Sequence, residues 1–386
     1  MGERTVDTTP RSLRRDFLLD PQVTFLNHGS FGACPDPVMQ TFQSWQRELE
    51  REPVEFLLRR GKGLVRASTE ALAEYVGCAA DEIVLLPNAT VAMNMVARSL
   101  TLREGDRVVT TDHEYGAMDR LWQLVCERTG ATLTRCRLPM PLRDDAEVCE
   151  VLARALDARV RVVSLSHITS PTGLVLPVAE ICRLARDVGA TSVVDGAHAP
   201  GQISLDLASL GADFYVGNCH KWLCAPKVAG FLYTRPGVDV RIDPLVVSWG
   251  WDAPDLAERV HWPGTQEISA FLSIPVAIAY QAERDWPTVQ ARCATDAAYL
   301  HERLLALPGV VPVSRGAEPL FRQMVSVLLP PGTDPDVQLT LFADHSIEVP
   351  VNDWHGDRLL RASVAAYNDR ADLDRLVAAL APLLGS

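Results

Sequence analysis

The strongest constraint on the fold is an alternation of two hydrophobic patterns between about residues 65 and 232. Short runs rich in β-branched residues are typical of buried strands, and the segments between them have the apolar spacing of helices. The predicted strands are residues 82–87, 106–111, 159–166, 191–197, 213–218 and 229–234. The predicted helices are residues 89–100, 117–128 and 179–188. This alternation predicts an α/β fold with a mostly parallel sheet, whose ligands bind beyond the carboxyl ends of the strands.

The remainder of the 386-residue chain indicates a second, smaller domain. Three tryptophans and three prolines in residues 244–263 argue against regular structure there, whereas residues 268–285 have the pattern of one long helix. Later short strands and a final helix over 372–384 predict a small α+β domain. The predicted units are an N-terminal segment that packs on the small domain, a large domain, and a bridging helix with the small domain: residues 1–24, 25–270 and 271–386.

Charge and composition exclude several classes of partner. The net charge of −12 argues against nucleic acid, because phosphate binding needs a basic surface. The first twenty residues lack the apolar core of a signal peptide, and no apolar run approaches the length of a membrane span. Nine scattered cysteines form no CxxC pair, which is typical of reduced thiols. We therefore expect a cytoplasmic protein with no membrane or nucleic-acid partner and no bound metal.

Two motifs at successive strand ends carry the chemistry. Asp195 lies in VVDGAHAPG (193–201), and Lys221 follows 26 positions later in DFYVGNCHKWLCAP (213–226). A buried carboxylate needs a cationic partner such as a protonated pyridine nitrogen, and a lysine in a partly apolar pocket can attack a carbonyl and then act as a base. Either residue alone is more often a helix cap or a solvated turn lysine. Together with the helix start at PNAT (87–90), which can bind a phosphate, they predict a pyridoxal 5′-phosphate (PLP) site.

These motifs resemble the fold-type I PLP enzymes of the class V aminotransferase group, most of all its isopenicillin N epimerase-like branch. The resemblance covers nearly the whole chain and includes FLNHGSFGACP (25–35), TDHEYGAM (111–118), SHITSPTGLVLP (166–177), VSWGW (247–251) and LLRASVAAYN (359–368). It implies the PLP-dependent transferase fold type I. In that fold a large domain is built on a mostly parallel seven-stranded sheet, and a small α+β domain follows it.

The resemblance also implies roles for individual residues. Lys221 would bind PLP covalently and act as the catalytic base. The residues implied to contact the ring and its phenolic oxygen are Tyr115, Thr169, Ser170, Asp195 and His198. Those implied to bind the phosphate are Ala89, Thr90, Asn218 and His220, with Thr265 reaching the phosphate of a neighbouring subunit. A homodimer with shared active sites is therefore the expected assembly.

The substrate side is expected to bind an amino acid. Arg361 resembles the arginine that holds the substrate carboxylate, and a planar guanidinium suits that role because it can donate two parallel hydrogen bonds. Three further residues are candidates to line the substrate pocket: Asn27, His28 and Arg59. The tryptophan-rich loop 247–262 is a candidate wall for a bulky substrate, or else a packing or dimer surface.

The reaction is less constrained than the cofactor. Lys221 is placed to take the Cα proton; β-elimination then needs only a leaving group such as a thiolate, whereas epimerisation needs a second acid. No cysteine follows Cys293, which argues against cysteine desulfurase chemistry. We expect a C–S lyase, or a related decarboxylating deaminase, acting on an unusual amino acid or S-cysteinyl conjugate in bacterial antibiotic biosynthesis. An epimerase, an aminotransferase and a non-catalytic binding protein are the alternatives.

Overall fold

The computed structural model of the chain describes residues 12–316 and 319–384. Its strands are β1 (Thr24–Phe25), β2 (Ile83–Leu86), β3 (Arg107–Thr111), β4 (Thr132–Cys136), β5 (Val160–Ser166), β6 (Thr191–Gly196), β7 (Phe214–Asn218), β8 (Gly230–Thr234), β9 (Val311–Pro312), β10 (Met324–Leu328), β11 (Ile347–Glu348), β12 (Val351–Trp354) and β13 (Asp357–Ser363).

Its α-helices are α1 (His28–Phe31), α2 (Asp36–Arg51), α3 (Gly61–Val76), α4 (Ala89–Ser99), α5 (Gly116–Thr129), α6 (Asp145–Ala155), α7 (Val178–Asp187), α8 (Leu207–Leu210), α9 (Leu256–His261), α10 (Ser269–Leu272), α11 (Ile274–Ala282), α12 (Trp286–Leu305), α13 (Val337–His345) and α14 (Arg370–Leu380). Shorter helical turns of other types are Arg14–Asp16, Glu55–Arg60 and Ala381–Leu383.

A seven-stranded sheet with the order β2-β8-β7-β6-β5-β3-β4 forms the centre of the large domain. The strands from β7 to β4 run parallel, and β8 pairs antiparallel with both β7 and β2. The predicted α/β fold with a mostly parallel sheet is therefore confirmed, and all six predicted strands are present. The sequence analysis missed β4, because this strand lies at the sheet edge and only its last residue, Cys136, is buried.

Burial of both sheet faces explains why the central strands were readable in the sequence. Every residue of β7 is buried, as expected for a parallel strand covered by helices on both sides. In α7, Val178, Ile181, Cys182 and Ala185 are buried at the spacing of one helix face. This packing fixes the carboxyl ends of β6 and β7, from which the Asp195 and Lys221 loops emerge.

The small domain is built on the antiparallel sheet β12-β13-β10-β9. The single helix predicted over 268–285 is wrong: α10 and α11 replace it, because Pro275 has no backbone N–H with which to continue the hydrogen-bond ladder of α10. The segment 244–263 is largely irregular as predicted, but it contains α9, where the Asp255 side chain caps the helix by accepting a hydrogen bond from the Glu258 N–H.

The N-terminal segment contacts the small domain over its described part. The Leu13 N–H donates to the Ala366 carbonyl at 2.9 Å, and β1 pairs in parallel with β11. Residues 1–11 of the predicted N-terminal unit lie outside the described residues, and the domain boundaries stay predictions. Among the described helices, none has the length and apolar character that a bilayer span requires.

Candidate active site

Two adjoining cavities open at the carboxyl ends of β5, β6 and β7. The inner cavity has a volume of about 510 Å³, and its walls include Thr90, Asp195, His198, Asn218, His220 and Lys227. The outer cavity has a volume of about 640 Å³, and its walls include Glu114, Arg135, Trp354, His355 and Arg361. The two share Ser30, Phe31, Tyr115, Ser170 and Lys221. Lys221 therefore lies at the junction, where it can reach groups bound in either cavity.

A chain of hydrogen bonds connects Trp222, His198 and Lys221. The Trp222 indole N–H lies 3.3 Å from Nδ1 of His198, and an indole only donates, so Nδ1 must accept. Burial lowers the pKa of His198 well below its ordinary value, which keeps the ring neutral with its proton on Nε2. That nitrogen lies 3.3 Å from Nζ of Lys221. The Lys221 amine can accept a hydrogen bond from this Nε2–H when the amine is uncharged.

Burial acts on Lys221 in the same direction. It lowers the pKa of the Lys221 amine to about 8, and the charge of Arg361 adds to this effect, while Asp195 opposes it. A neutral amine is the form that attacks a carbonyl or takes a proton from carbon. The fold therefore places a reactive amine at the junction of the cavities.

The surroundings of the Asp195 carboxylate indicate whether the inner cavity can bind PLP. The carboxylate is only 5% exposed, and its Oδ1 accepts one hydrogen bond, from the Ala197 N–H at 2.9 Å. Burial raises the pKa of Asp195, and among the described residues its other oxygen has no hydrogen-bond donor. A buried carboxylate aimed into a cavity needs a cationic partner, and the protonated nitrogen of a pyridine ring provides one. The residues present thus fit the cofactor.

The phosphate end differs from the prediction at one position. The Ala89 N–H donates to Oδ1 of Asn218 at 2.8 Å, so it is not free to bind a phosphate. The N–H and hydroxyl of Thr90 have no partner among the described residues and line the inner cavity. Because the Nδ1–H of His220 donates to the Ala229 carbonyl at 2.9 Å, only its Nε2 remains for a ligand. Asn218 is consequently placed to orient α4, and Thr90 to bind the phosphate.

Arg361 is a buried cation that is not paired with an acid in the described structure. It is 5% exposed and donates from Nη1 to the Ser170 carbonyl and from Nη2 to Oγ of Ser30 at 3.1 Å. Its buried Nε has no hydrogen-bond partner, and burial lowers the pKa of the guanidinium to about 10. A buried guanidinium held by neutral groups alone is well suited to bind an anion from the outer cavity.

Several predicted contacts are corrected by the structure. The Thr169 hydroxyl is fully buried and bonds within its own loop, to Thr172 at 2.7 Å and to the Leu174 N–H at 2.8 Å, so it does not face the cavity. Ser170 does line both cavities. Arg59 is an exposed residue outside both cavities and forms an ion pair with Glu55 at 2.6 Å.

Asn27 and His28 likewise face away from the cavities. The Asn27 amide donates to Glu348 at 2.9 Å. His28 is buried between the Tyr367 hydroxyl at 3.1 Å and the Lys221 carbonyl at 3.0 Å. Burial lowers the pKa of His28 to about 3, so the ring stays neutral and its Nε2–H donates to that carbonyl. It supports the backbone of Lys221 and does not contact a substrate.

Two further residues predicted to contact the cofactor, Tyr115 and Thr265, have exposed side chains. Tyr115 is 48% exposed and forms part of the wall between the two cavities, where it is available to stack on a ring. Thr265 is exposed and lines neither cavity, and its predicted contact is with a neighbouring subunit. Trp249 and Trp251 also line neither cavity.

Sequence reasoning missed Lys227 and Glu114. Lys227 lines the inner cavity with His220, and its position three residues before the start of β8 gave no signal of its own. Glu114 lines the outer cavity and receives two hydroxyl hydrogen bonds. Glu114 is part of the motif TDHEYGAM, but a role in the site was predicted only for its aromatic neighbour Tyr115.

Comparison with known proteins adds an independent line of observation. The family model described as aminotransferase class-V matches residues 34–376. The isopenicillin N epimerase of Streptomyces clavuligerus is 36% identical, with 96% of this chain and 98% of that protein covered. The same enzyme from Amycolatopsis lactamdurans is 36% identical, with 98% and 99% covered. A solved cystine C–S lyase in complex with its product cysteine persulfide has a TM-score of 0.83 at 22% identity, with 95% of this chain and 99% of that chain covered, and so shares the fold.

Proposed function

The chain belongs to the class V aminotransferase family of PLP-dependent enzymes, and on that premise we propose that it is a lyase acting at Cα and Cβ of a large amino acid. The observation that carries this proposal is the position of the Lys221 amine, which lies between a cavity suited to PLP and the unpaired guanidinium of Arg361. A base and a carboxylate-binding cation on the same cavity are what removal of a Cα proton requires.

Bound PLP supplies a carbonyl carbon for the substrate amino group and a ring that accepts the electrons released at Cα. We propose that Asp195 holds the ring nitrogen and that Tyr115 stacks on the ring. His198 and Ser170 lie where they can contact its phenolic oxygen. The proposed phosphate ligands are Thr90, His220 and Lys227.

The substrate is proposed to bind in the outer cavity by its α-carboxylate. Arg361 would bind the carboxylate through its guanidinium group, which Ser30 and Ser170 keep in place. The cavity volume of about 640 Å³ falls in the range of about 300–1,000 Å³ that binds drug-sized ligands. This space suits a conjugated amino acid better than free cysteine.

Elimination is the first candidate reaction, because it needs only one base. Lys221 would take the Cα proton, the bond from Cβ to sulfur would break, and the protonated lysine could return its proton to the departing thiolate. Hydrolysis of the remainder would give a 2-oxo acid and ammonia beside the free thiol. Epimerisation is the second candidate, because two isopenicillin N epimerases are 36% identical over nearly the whole chain.

The reaction can be identified by incubating the holoenzyme with S-substituted cysteines and with long-chain amino acids in D₂O. A 2-oxo acid with a stoichiometric free thiol is the expected result. Deuterium at Cα with inverted configuration would support the second candidate, and amino transfer to an added 2-oxo acid would indicate transamination. If no amino acid yields a 2-oxo acid with a free thiol and none exchanges its Cα proton, both proposed reactions are rejected.

The expected homodimer also stays a proposal. Phe31 at the cavity wall is 70% exposed, and the loop residues Val247 and Trp249 are 72% and 82% exposed. Exposed apolar side chains of this size are typical of a surface that a second copy covers. Light scattering after size-exclusion chromatography would give the mass of two chains if this proposal is correct, and of one chain if it is wrong.

The pH dependence of PLP uptake follows from the lowered pKa of Lys221. Only the neutral amine attacks the PLP carbonyl, so uptake by the cofactor-free protein should speed up with rising pH and level off above a midpoint near 8. Below the midpoint we expect about a tenfold change per pH unit. Stopped-flow absorbance measures this rate, and a profile that is flat across that midpoint would contradict the assigned state of Lys221.

Replacing Asp195 by asparagine should uncouple cofactor binding from catalysis. The amide has the same shape but cannot balance a positive charge on the ring nitrogen, so the ring becomes a weaker electron acceptor. We expect turnover to fall by about 10²- to 10³-fold at saturating PLP. The control is Asp187→Asn, a change at an exposed residue at the end of α7, which should leave turnover unchanged. Full turnover in the Asp195→Asn variant would show that this carboxylate is not needed.

A further inference from the structure

Glu114 is an ionisable group in the cavity wall that the proposed reaction does not use. It follows β3, and its two carboxylate oxygens each accept one hydroxyl hydrogen bond: from Thr111 at 2.6 Å and from Ser166 at 2.6 Å. Ser166 is the last residue of β5, and in the sheet it is paired with Asp195 of β6. Glu114 is therefore tied to the strand that lies directly beside Asp195.

The groups that surround Glu114 include a second carboxyl group and two neutral hydroxyl groups. Thr111 from β3 and Ser166 from β5 offer neutral hydroxyls, and Asp195 from β6 contributes a negative charge. None of the ion pairs within the described ranges includes Glu114. Burial, with a smaller contribution from the charge of Asp195, raises the pKa of Glu114 to about 7 against the opposing effect of the two hydroxyl donors. Glu114 and Asp195 are thus two neighbouring buried carboxyls that resist being charged together.

We propose that Glu114 is a positioning residue that controls the charge beside the cofactor nitrogen through its neighbour Asp195. When Glu114 is protonated, Asp195 is the one negatively charged group of this pair beside the cofactor nitrogen. When Glu114 releases its proton to water, a second negative charge joins the first and holds the proton on the ring nitrogen more firmly. The protein can thereby adjust the electron-accepting strength of its cofactor within the neutral pH range.

This inference rests on the proposed place of the cofactor nitrogen at Asp195, but it holds for elimination and epimerisation alike. The charges of the two carboxylates determine the direction of the pH dependence. Above the midpoint both carboxylates are ionised and the ring nitrogen keeps its proton best, so a rate that depends on the ring should rise with pH through about 7. Below the midpoint the rate should fall to the level set by Asp195 alone.

The test is a pH titration of the absorbance of bound PLP in the wild type and in two variants. In Glu114→Gln the amide has the same size but cannot ionise, so the spectral step near 7 should be lost. In Thr111→Val the carboxylate loses one stabilising donor, so the step should move to higher pH. A step that persists at the same midpoint in Glu114→Gln would overturn the proposal.

NMR of the cofactor-free protein labelled with ¹³C at glutamate carboxyls keeps the proposal testable if Glu114→Gln fails to bind PLP. One resonance with a midpoint near 7 should be present in the wild type, shifted in Thr111→Val and absent in Glu114→Gln. If that resonance is missing from the wild type, the proposal is wrong. If the titrations behave as stated while no substrate yields a 2-oxo acid with a free thiol or exchanges its Cα proton, the proposed reaction fails and the role of Glu114 stands.

Discussion

Replacing Lys221 by alanine is expected to lower turnover by about 10⁴-fold even when PLP is supplied in excess. The variant loses the amine that takes the Cα proton, and no second lysine stands at the junction of the two cavities, whose walls contain only Lys221 and Lys227. Steady-state product formation, measured with the substrate found in the D₂O survey, gives the ratio directly. Uptake of PLP without a covalent bond should remain detectable, because Asp195 and the phosphate-binding residues are unchanged.

Lys227→Ala is the matched control for this loss. Lys227 lines the same inner cavity but is exposed, and its proposed role is to attract the phosphate. We expect a weaker affinity for PLP and, at saturating PLP, turnover within about tenfold of the wild type. Equal losses in the two variants would mean that the chemistry does not depend on Lys221 in particular.

Replacing Arg361 by glutamine is expected to lower kcat/KM by about 10²- to 10³-fold. The change removes a buried cation that lines the outer cavity, and glutamine cannot donate two parallel hydrogen bonds to a carboxylate. Most of the loss should appear in KM, because the carboxylate is bound in the ground state as well as during the reaction. The free energy of unfolding should not decrease, because a buried charge without an ionic partner destabilises the folded protein and the variant removes that charge.

A substrate analogue without the α-carboxylate separates binding from misfolding. The wild type should discriminate against the decarboxylated analogue by about the same factor as the variant loses, whereas Arg361→Gln should hardly discriminate. Arg358→Gln provides the control on the same strand, because the Arg358 side chain forms an ion pair with Asp353 at 3.7 Å and lines neither cavity. Discrimination that persists in Arg361→Gln would place the carboxylate elsewhere.

The sequence predicted the sheet and the two central residues of the site for one physical reason. Strands buried on both faces must be apolar along their whole length, so a charged residue at a strand end is conspicuous. Asp195 and the loop with Lys221 follow adjacent parallel strands, β6 and β7, and such strand ends meet at one edge of the sheet. The edge strand β4, with one face open to solvent, lacked that contrast.

The details of hydrogen bonding could not be predicted in the same way. PNAT correctly indicated a helix start, but only the structure reveals that Asn218 occupies the Ala89 N–H and leaves Thr90 free. NHGSFG placed His28 near the site, yet its ring is turned to the backbone of Lys221. These outcomes depend on partners more than 100 positions away, which the local sequence does not contain.

The most direct test of the central claim is to reduce the holoenzyme with borohydride and to locate the modified residue by peptide mapping. The sequence contains three lysines, Lys62, Lys221 and Lys227, so the assignment is unambiguous. The account predicts one pyridoxyl phosphate group per chain, on Lys221. A modified Lys227, or an unmodified protein that still turns over its substrate, would contradict it.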